Sequence, residues 1–177
     1  MQGIPLNERK RLGALLDDRP QAEVMAMIPQ FSQAETDNFV APPAQIPEAL
    51  GVLMFNMERG VNLPEIQEFL RDCPDIQPFD VILANELDDG CARSGNKNTA
   101  RELAQAFGLN YAWGLEFIEL VNDENAKGFH GNAVFSRWPI RRAGVIPVAV
   151  GQNQPVQPGN ALAQKRFCGN VRGFGIA

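Results

Sequence analysis

The sequence is poor in the residues that build disulfide frameworks, zinc sites and histidine-based catalytic centres. Only three cysteines, Cys73, Cys91 and Cys168, occur in 177 residues, and they are odd in number and widely spaced. This pattern fits neither a disulfide-stapled secreted domain nor a zinc site, and it favours a reducing, cytoplasmic setting. His130 is the single histidine, which limits the acid–base chemistry that the chain offers.

The sequence also lacks an excess of positive charge and any apolar run long enough to cross a membrane. Lys and Arg total 16 against 21 Asp and Glu, which gives a net charge of −5. This balance argues against a protein held on nucleic acid or a membrane by net positive charge alone, although a bound metal ion reverses the local charge of a site. No stretch approaches the ~20 apolar residues of a membrane span. Residues 1–13 have no apolar core of the kind found in a secretory signal.

Three unequal parts follow one another along the chain, whose 45% hydrophobic and 21% charged residues are typical of one globular domain. Residues 1–48 are polar and interrupted by prolines. We interpret them as a loosely packed N-terminal extension with a short helix over residues 22–28. Residues 49–148 carry the periodicity of a hydrophobic core, and this periodicity decays over residues 149–177.

The central part predicts strands alternating with helices. Four segments have the apolar runs or the alternation typical of β-strands: 51–55, 81–84, 111–120 and 131–136. The first two are continuous apolar runs, which predicts fully buried strands. Two segments carry an apolar stripe at helical spacing: 63–71 and 98–107. Pro64 suits the first turn of one helix and Gly108 ends the other. This order indicates an α/β or α+β domain with a layered sheet.

Polar side chains follow both apolar strand runs. Asn56 ends the first run, and Glu86 comes two residues after the second. Strand ends on a rigid sheet are where α/β proteins often place ligand-binding groups, and oxygen ligands of this kind suit Mg²⁺ or Mn²⁺. From the pattern alone, the alternatives are a solvated acid for Glu86 and a turn residue for Asn56. Asp88 and Asp89 before Gly90 indicate a turn first and metal ligands only second.

His130 has two interpretations. As a functional group it would donate a hydrogen bond to a phosphate or pair with an acidic group. As a structural group it would fix the start of the strand at Gly131, and the pattern slightly favours this interpretation. Five aromatic side chains are predicted to belong to the core: Phe69, Phe107, Tyr111, Trp113 and Phe117.

Five motifs follow one another in the order and spacing of a known family. They are Phe55-Asn-Met-Glu-Arg-Gly60, Val81-Ile-Leu-Ala-Asn-Glu-Leu-Asp88 with Arg93, Asn98 with Ala100 and Glu102-Leu-Ala104, Gly108-Leu-Asn-Tyr111, and Gly128-Phe-His-Gly-Asn-Ala-Val-Phe-Ser-Arg-Trp-Pro-Ile140. Over about residues 50–147, the chain resembles the endonuclease/exonuclease/phosphatase superfamily, whose members share the deoxyribonuclease-I-like fold. The combination of motifs carries the resemblance.

The resemblance implies a four-layered α/β sandwich that cleaves phosphodiester or phosphomonoester bonds with Mg²⁺ or Mn²⁺. It implies that Glu86 is the metal-binding glutamate and that Asn56, the first-strand asparagine, is a second metal ligand; both are catalytic candidates. It places His130 and Asn132 near the cleft as further catalytic candidates. A metal held by Glu86 would polarise a phosphate oxygen and offset the charge that develops in the transition state.

The resemblance leaves the substrate open among nucleic acids, phospholipids and small phosphoesters. Arg93 and Asn98 match recurrent positions after the glutamate. They are expected either to bind substrate at the rim of the cleft or to hold the loop. The net charge of −5 mildly disfavours a long polyanion.

Motifs of the family's second half do not occur here: a histidine in a His-Leu-Glu-like strand, an Asp-x-Asn pair after a glycine, and a Ser-Asp-His motif. We therefore interpret residues 49–177 as the N-terminal half of such a domain, incomplete at the C-terminus. Residues 164–167 resemble the approach to a further strand, and the chain is interpreted as cut or shifted in frame near residue 168. Half a sandwich would leave a sheet face uncovered, open to aggregation or to a partner.

Three hypotheses follow from the sequence. The first is a metal-dependent phosphodiesterase or nuclease-type hydrolase. The second is a truncated, non-catalytic remnant or interaction module that lacks the catalytic His/Asp half. The third is a nucleotide-binding α/β domain, which ranks last because no Gly-rich phosphate loop follows any predicted strand.

Overall fold

One mixed five-stranded sheet organises the computed structural model, which describes residues 1–148 and 170–171. The strands are Ala34–Asp37 (β1), Val52–Arg59 (β2), Val81–Asp89 (β3), Asn110–Ile118 (β4) and Phe129–Ser136 (β5). Their order in the sheet is β1-β4-β5-β3-β2. The β2–β3 pair is parallel, and the other three pairs are antiparallel. A separate two-stranded sheet pairs Pro147–Val148 (β6) with Asn170–Val171 (β7).

Four α-helices accompany these strands in the described part of the chain: Leu6–Leu15 (α1), Gln21–Ala26 (α2), Leu63–Asp72 (α3) and Thr99–Phe107 (α4). Both helices predicted in the central part are confirmed, and so is the short helix near residue 22. Asn98 caps α4, because its Oδ1 accepts the N–H of Arg101 at 2.9 Å. Gly108 ends α4 in the left-handed conformation with φ 59°. The α/β class predicted from the sequence is therefore confirmed.

The hydrophobic core joins one face of the sheet to the helices. Its largest fully buried apolar side chains include Trp113, Tyr111, Phe135, Leu103 and Leu70. The predicted core positions of Tyr111, Trp113 and Phe117 are thus confirmed, and Phe107 packs partly buried against the core. The prediction for Phe69 is wrong: its side chain is 43% exposed on α3. Its ring stacks on Phe55 of β2, with the two centroids 5.6 Å apart.

Residues 1–37 of the expected N-terminal extension join the core at a few buried positions and through one strand, whereas residues 41–48 are mostly exposed. β1 pairs with β4 as an edge strand of the main sheet, and Leu12, Val24 and Ile28 are buried in the same core. The buried guanidinium of Arg9 on α1 donates to the carbonyl oxygens of three residues after β4: Glu119 at 3.3 Å, Asn122 at 3.2 Å and Asn125 at 2.7 Å. A few apolar positions and one short strand are enough to join a polar segment to a core.

β2 is an edge strand with one open side, although its apolar run predicts full burial. Val52 is 58% exposed and Met54 is 72% exposed, whereas Leu53 and Phe55 between them pack against the core. Exposed Ile46 and Leu50 precede them along the chain. Among the described strand residues, the exposed large apolar side chains of the sheet lie on β2, whereas Val134 of the inner strand β5 is buried on the same face.

Several expectations concern residues outside the described part of the chain. They are the decay of periodicity over most of residues 149–177, the approach to a further strand at residues 164–167, and the interruption near residue 168. Within the described part, none of the helices combines the length and the hydropathy that crossing a membrane requires.

Gly131 allows β5 and β4 to approach closely, and its replacement tests the packing of the sheet. A Cβ atom there would lie 2.0 Å from the carbonyl oxygen of Gly114. We expect Gly131→Ala to lower the free energy of unfolding by about 3 kcal/mol, because the backbone must shift. Urea denaturation measures the change. Gly144→Ala is the matched control, since no atom lies within 4 Å of its added Cβ. Equal losses in both variants would contradict the packing argument.

Candidate functional site

Three strands of the sheet each carry a residue in excess of those on the neighbouring strand, and these irregularities lie at the same height along the strands. On β3, residues 85–86 stand opposite the single residue Asn132 of β5, because the pairing shifts there. On β4, Glu116 is the extra residue against β5. On β2, residues 57–58 stand opposite Glu86. Such β-bulges re-aim side chains and are over-represented next to active sites, so this level of the sheet is a candidate site.

Left-handed backbone accompanies the bulges of β2 and β3. The φ angle is 47° at Glu58, 66° at Arg59 and 58° at Glu86, values that are rare for residues other than glycine. Two asparagine side chains hold this backbone. Oδ1 of Asn56 accepts the N–H of Glu58 at 2.8 Å, and Oδ1 of Asn132 accepts the N–H of Glu86 at 3.2 Å. Strained backbone of this kind persists only where its surroundings fix it.

The amide nitrogens of the same two asparagines donate to carboxylates. Nδ2 of Asn56 donates to Oε1 of Glu86 at 3.0 Å, and Nδ2 of Asn132 donates to Oε2 of Glu116 at 3.2 Å. We term Asn56, Glu86, Asn132 and Glu116 the polar row, which crosses β2, β3, β5 and β4. Asn56 is exposed and the other three residues are half-buried, so the row opens to solvent at its β2 end.

The polar row brings together three residues that the sequence singles out separately: Asn56, Glu86 and Asn132. Glu116, the fourth residue of the row, is not marked by any motif in the sequence. Its place in the alternating segment 111–120 is that of any solvent-facing side chain, and no residue pattern marks the bulge that carries it. A carboxylate between the apolar residues Leu115 and Phe117 is the one local sign of its special position.

Asp88 is fully buried in β3, so the prediction of a turn at Asp88 and Asp89 is wrong. Arg93 donates to both carboxylate oxygens of Asp88, at 2.7 and 2.8 Å, and its Nη1 contacts the carboxylate of Glu119. Nδ1 of His130 lies 2.7 Å from Oδ1 of Asp88. Burial opposes ionisation of Asp88, but the hydrogen bonds from His130 and Arg93 outweigh it and hold the pKa of this carboxyl below its ordinary value. The neighbouring Asp89 pairs with Lys127 at 2.7 Å.

His130 pairs with an acidic group. This is one of the two functional roles that the sequence suggests for it, the other being donation of a hydrogen bond to a phosphate. The ring is 2% exposed and stacks on Phe117, with the centroids 4.2 Å apart. Its Nδ1 contact is Asp88 rather than a member of the polar row. A direct catalytic role for His130 stays a prediction.

Arg93 and Asn98 make contacts that hold the loop between β3 and α4. The hydrogen bonds to Asp88 and Glu119 outweigh burial and raise the pKa of the Arg93 guanidinium. Asn98 caps α4, and its Nδ2 donates to Glu35 at 2.8 Å. These contacts support the loop-holding interpretation of both residues, and their binding of substrate stays a prediction.

A divalent cation at the polar row would have Glu86 as its carboxylate ligand. Mg²⁺ is usually bound through one or two carboxylates and keeps several waters and substrate phosphates, a mode that Glu86 fits. A cage made by the protein alone does not fit, since residues 1–148 contain no group of three His, Cys, Asp or Glu side chains arranged to hold a metal. Both polar ends of the Asn56 amide already have partners, so this side chain orients Glu86, and its role as a direct ligand stays a prediction.

No match to the chain was found among protein-family models, curated proteins or solved structures. Membership of the endonuclease/exonuclease/phosphatase superfamily therefore stays a prediction from the motifs.

Removing the charge of Asp88 tests the buried hydrogen bonds that this carboxylate makes with Arg93 and His130. We expect Asp88→Asn to lower the free energy of unfolding at pH 7 by about 1–3 kcal/mol, because Arg93 keeps the Glu119 carboxylate but loses its ionised partner at Asp88. The folded-state pKa of Asp88 is depressed, so its contribution is fully present above about pH 4, the unfolded pKa, and is lost as the pH falls through the folded pKa.

The difference between wild type and Asp88→Asn should therefore be large at neutral pH and shrink in acid. Urea denaturation at several pH values measures it. Asp75→Asn removes an exposed carboxylate and serves as the control, with an expected change within about 0.5 kcal/mol. A difference between wild type and Asp88→Asn that stays constant down to the lowest pH would contradict this account.

Proposed function

We propose that this chain is a divalent-metal-dependent hydrolase of phosphoester bonds, of the phosphodiesterase or nuclease type, and that the polar row is its active site. The observation that carries the proposal is the 3.0 Å hydrogen bond between Nδ2 of Asn56 and Oε1 of Glu86. This bond joins two residues that the sequence marks independently at the ends of different strand runs. The motif resemblance to the endonuclease/exonuclease/phosphatase superfamily supports the same chemistry.

In this proposal Glu86 binds Mg²⁺ or Mn²⁺, and Asn56 and Asn132 orient it. Glu86 is held twice, at its N–H by Asn132 and at its carboxylate by Asn56. Such double support preorganises a carboxylate, which favours binding at a fixed position. The cation would supply Lewis-acid polarisation of a phosphate oxygen. The substrate belongs to the phosphoesters, whether nucleic acid, phospholipid or small molecule.

The proposed fold is the N-terminal half of a four-layered α/β sandwich. The mixed sheet with α3 and α4 against one face supports this assignment, because it supplies one sheet layer and one helix layer. The exposed Val52 and Met54 lie on β2 where a further layer would cover them.

A non-catalytic interaction module is the second candidate function. It is favoured by the exposed apolar side chains on β2 and in the segment before it along the chain: Ile46, Leu50, Val52 and Met54. Burial of the single histidine against Asp88 also favours it, because that ring is shielded from solvent. A module of this kind would bind a partner without hydrolysing phosphoesters.

Glu86→Gln separates the two candidates. We expect the full chain to hydrolyse bis-p-nitrophenyl phosphate with Mg²⁺ or Mn²⁺, and the variant to lose at least about 100-fold in rate, as when a group that stabilises transition-state charge is removed. Excess EDTA should abolish the wild-type activity.

Glu68→Gln is the matched control, since Glu68 is an exposed glutamate on α3, and it should retain full activity. Equal activity in wild type and Glu86→Gln would contradict the assignment of the site. A wild-type chain that is inactive with either cation would favour the interaction module.

A further inference from the structure

Glu116 is a carboxylate to which neither the sequence motifs nor the proposed chemistry assigns a role. It is the extra residue of β4 against β5, and it is half-buried. Its Oε2 accepts a hydrogen bond from Nδ2 of Asn132 at 3.2 Å, and Oδ1 of Asn132 accepts the N–H of Glu86 at 3.2 Å. Glu116 is therefore linked to Glu86 through a single side-chain amide.

The chemistry of these groups selects one orientation of the Asn132 amide. An asparagine amide has a donor end and an acceptor end, and reversing it exchanges them. The N–H of Glu86 can only donate, and an ionised carboxylate at Glu116 can only accept. Both neighbours therefore require the same orientation, with Oδ1 toward Glu86 and Nδ2 toward Glu116.

The orientation of Asn132 matters because Glu86 has a backbone conformation that is rare for a glutamate. With φ 58°, it depends on its surroundings to stay left-handed. The bulge removes Glu86 from the regular pairing between β3 and β5, and Asn132 supplies an acceptor for its N–H. Loss of that acceptor would release the backbone and change the aim of the Glu86 carboxylate.

The same arrangement occurs a second time in the polar row. Oδ1 of Asn56 accepts the N–H of left-handed Glu58, and Nδ2 of Asn56 donates to the carboxylate of Glu86. Glu116 thus stands to Asn132 as Glu86 stands to Asn56. In each case, an asparagine amide links the N–H of a bulged, left-handed glutamate to a carboxylate on a neighbouring strand.

We infer that Glu116 is a positioning residue for Glu86. Acting through the Asn132 amide, it keeps the backbone of Glu86 left-handed and so fixes the direction of the metal-binding carboxylate. The effect on metal binding rests on the proposed function, whereas the effect on the Glu86 backbone is a property of the metal-free protein.

Amide hydrogen exchange in the metal-free full chain, followed by NMR, tests the effect on the backbone. We expect Glu116→Ala to speed exchange at the Glu86 N–H by about tenfold or more, while exchange at Leu103 in the buried face of α4 is unchanged. Glu116→Gln retains an acceptor and should give a smaller increase. Glu68→Gln is the control for loss of an exposed charge, and it should exchange like the wild type.

Mn²⁺ affinity, measured by electron paramagnetic resonance, tests the effect on the site. We expect Glu116→Ala to weaken binding about 10–100-fold, the usual loss when a group that orients a metal ligand is removed. Glu116→Gln should weaken binding less, and Glu68→Gln should not change it.

The outcomes separate this inference from the proposed function. Unchanged exchange at Glu86 in Glu116→Ala would overturn the inference, and so would an equal increase at Glu86 and Leu103. If Glu116→Ala does not fold, the same comparison of the two amides in Glu116→Gln decides. Faster exchange at Glu86 in a protein whose wild type does not bind Mn²⁺ would uphold the positioning role and contradict the proposed function.

Discussion

The hydrogen bond from the N–H of Glu86 to Oδ1 of Asn132 is the interaction on which the candidate site depends. It crosses from β3 to β5 inside the sheet, where a bulge takes Glu86 out of regular strand pairing. A backbone N–H at such a place needs an acceptor, and the Asn132 amide supplies it. Because this bond holds Glu86 in the left-handed conformation, it sets the position of the Glu86 carboxylate. Asn56 on β2 donates a hydrogen bond to that carboxylate.

A second polar cluster, formed by Asp88, Arg93 and His130, lies immediately beside the polar row and stabilises the sheet there. Asp88 follows Glu86 by two residues on β3, and it is buried between Arg93 and His130. A buried carboxylate is tolerated only when it is paired, and here the partners come from the loop after β3 and from β5. The cluster therefore ties that loop to the sheet and gives the bulged strand a rigid continuation. The candidate site therefore combines the polar row, which opens to solvent, with a buried polar cluster that supports it.

The sequence predicts local structure well here and long-range register poorly. Helices α3 and α4 are predictable because their apolar stripes, prolines and Gly108 act within a few residues. Asp88 looks like a turn residue because Asp-Asp-Gly is turn chemistry, and only partners far along the chain show otherwise. The bulge at Glu86 and the role of Glu116 depend on which strands are neighbours, and local patterning does not reveal that. The apolar run of β2 likewise does not distinguish an edge strand from a central one.

Paramagnetic broadening by Mn²⁺ would test the central claim most directly. In an NMR titration of the full chain at substoichiometric Mn²⁺, the backbone amide signals of Asn56, Glu86 and Asn132 should broaden first, because a cation bound at Glu86 lies in the polar row. The same titration of Glu86→Gln should leave those signals sharp. Broadening first at exposed acids such as Asp123 and Glu124, unaltered by Glu86→Gln, would contradict a metal site in the polar row.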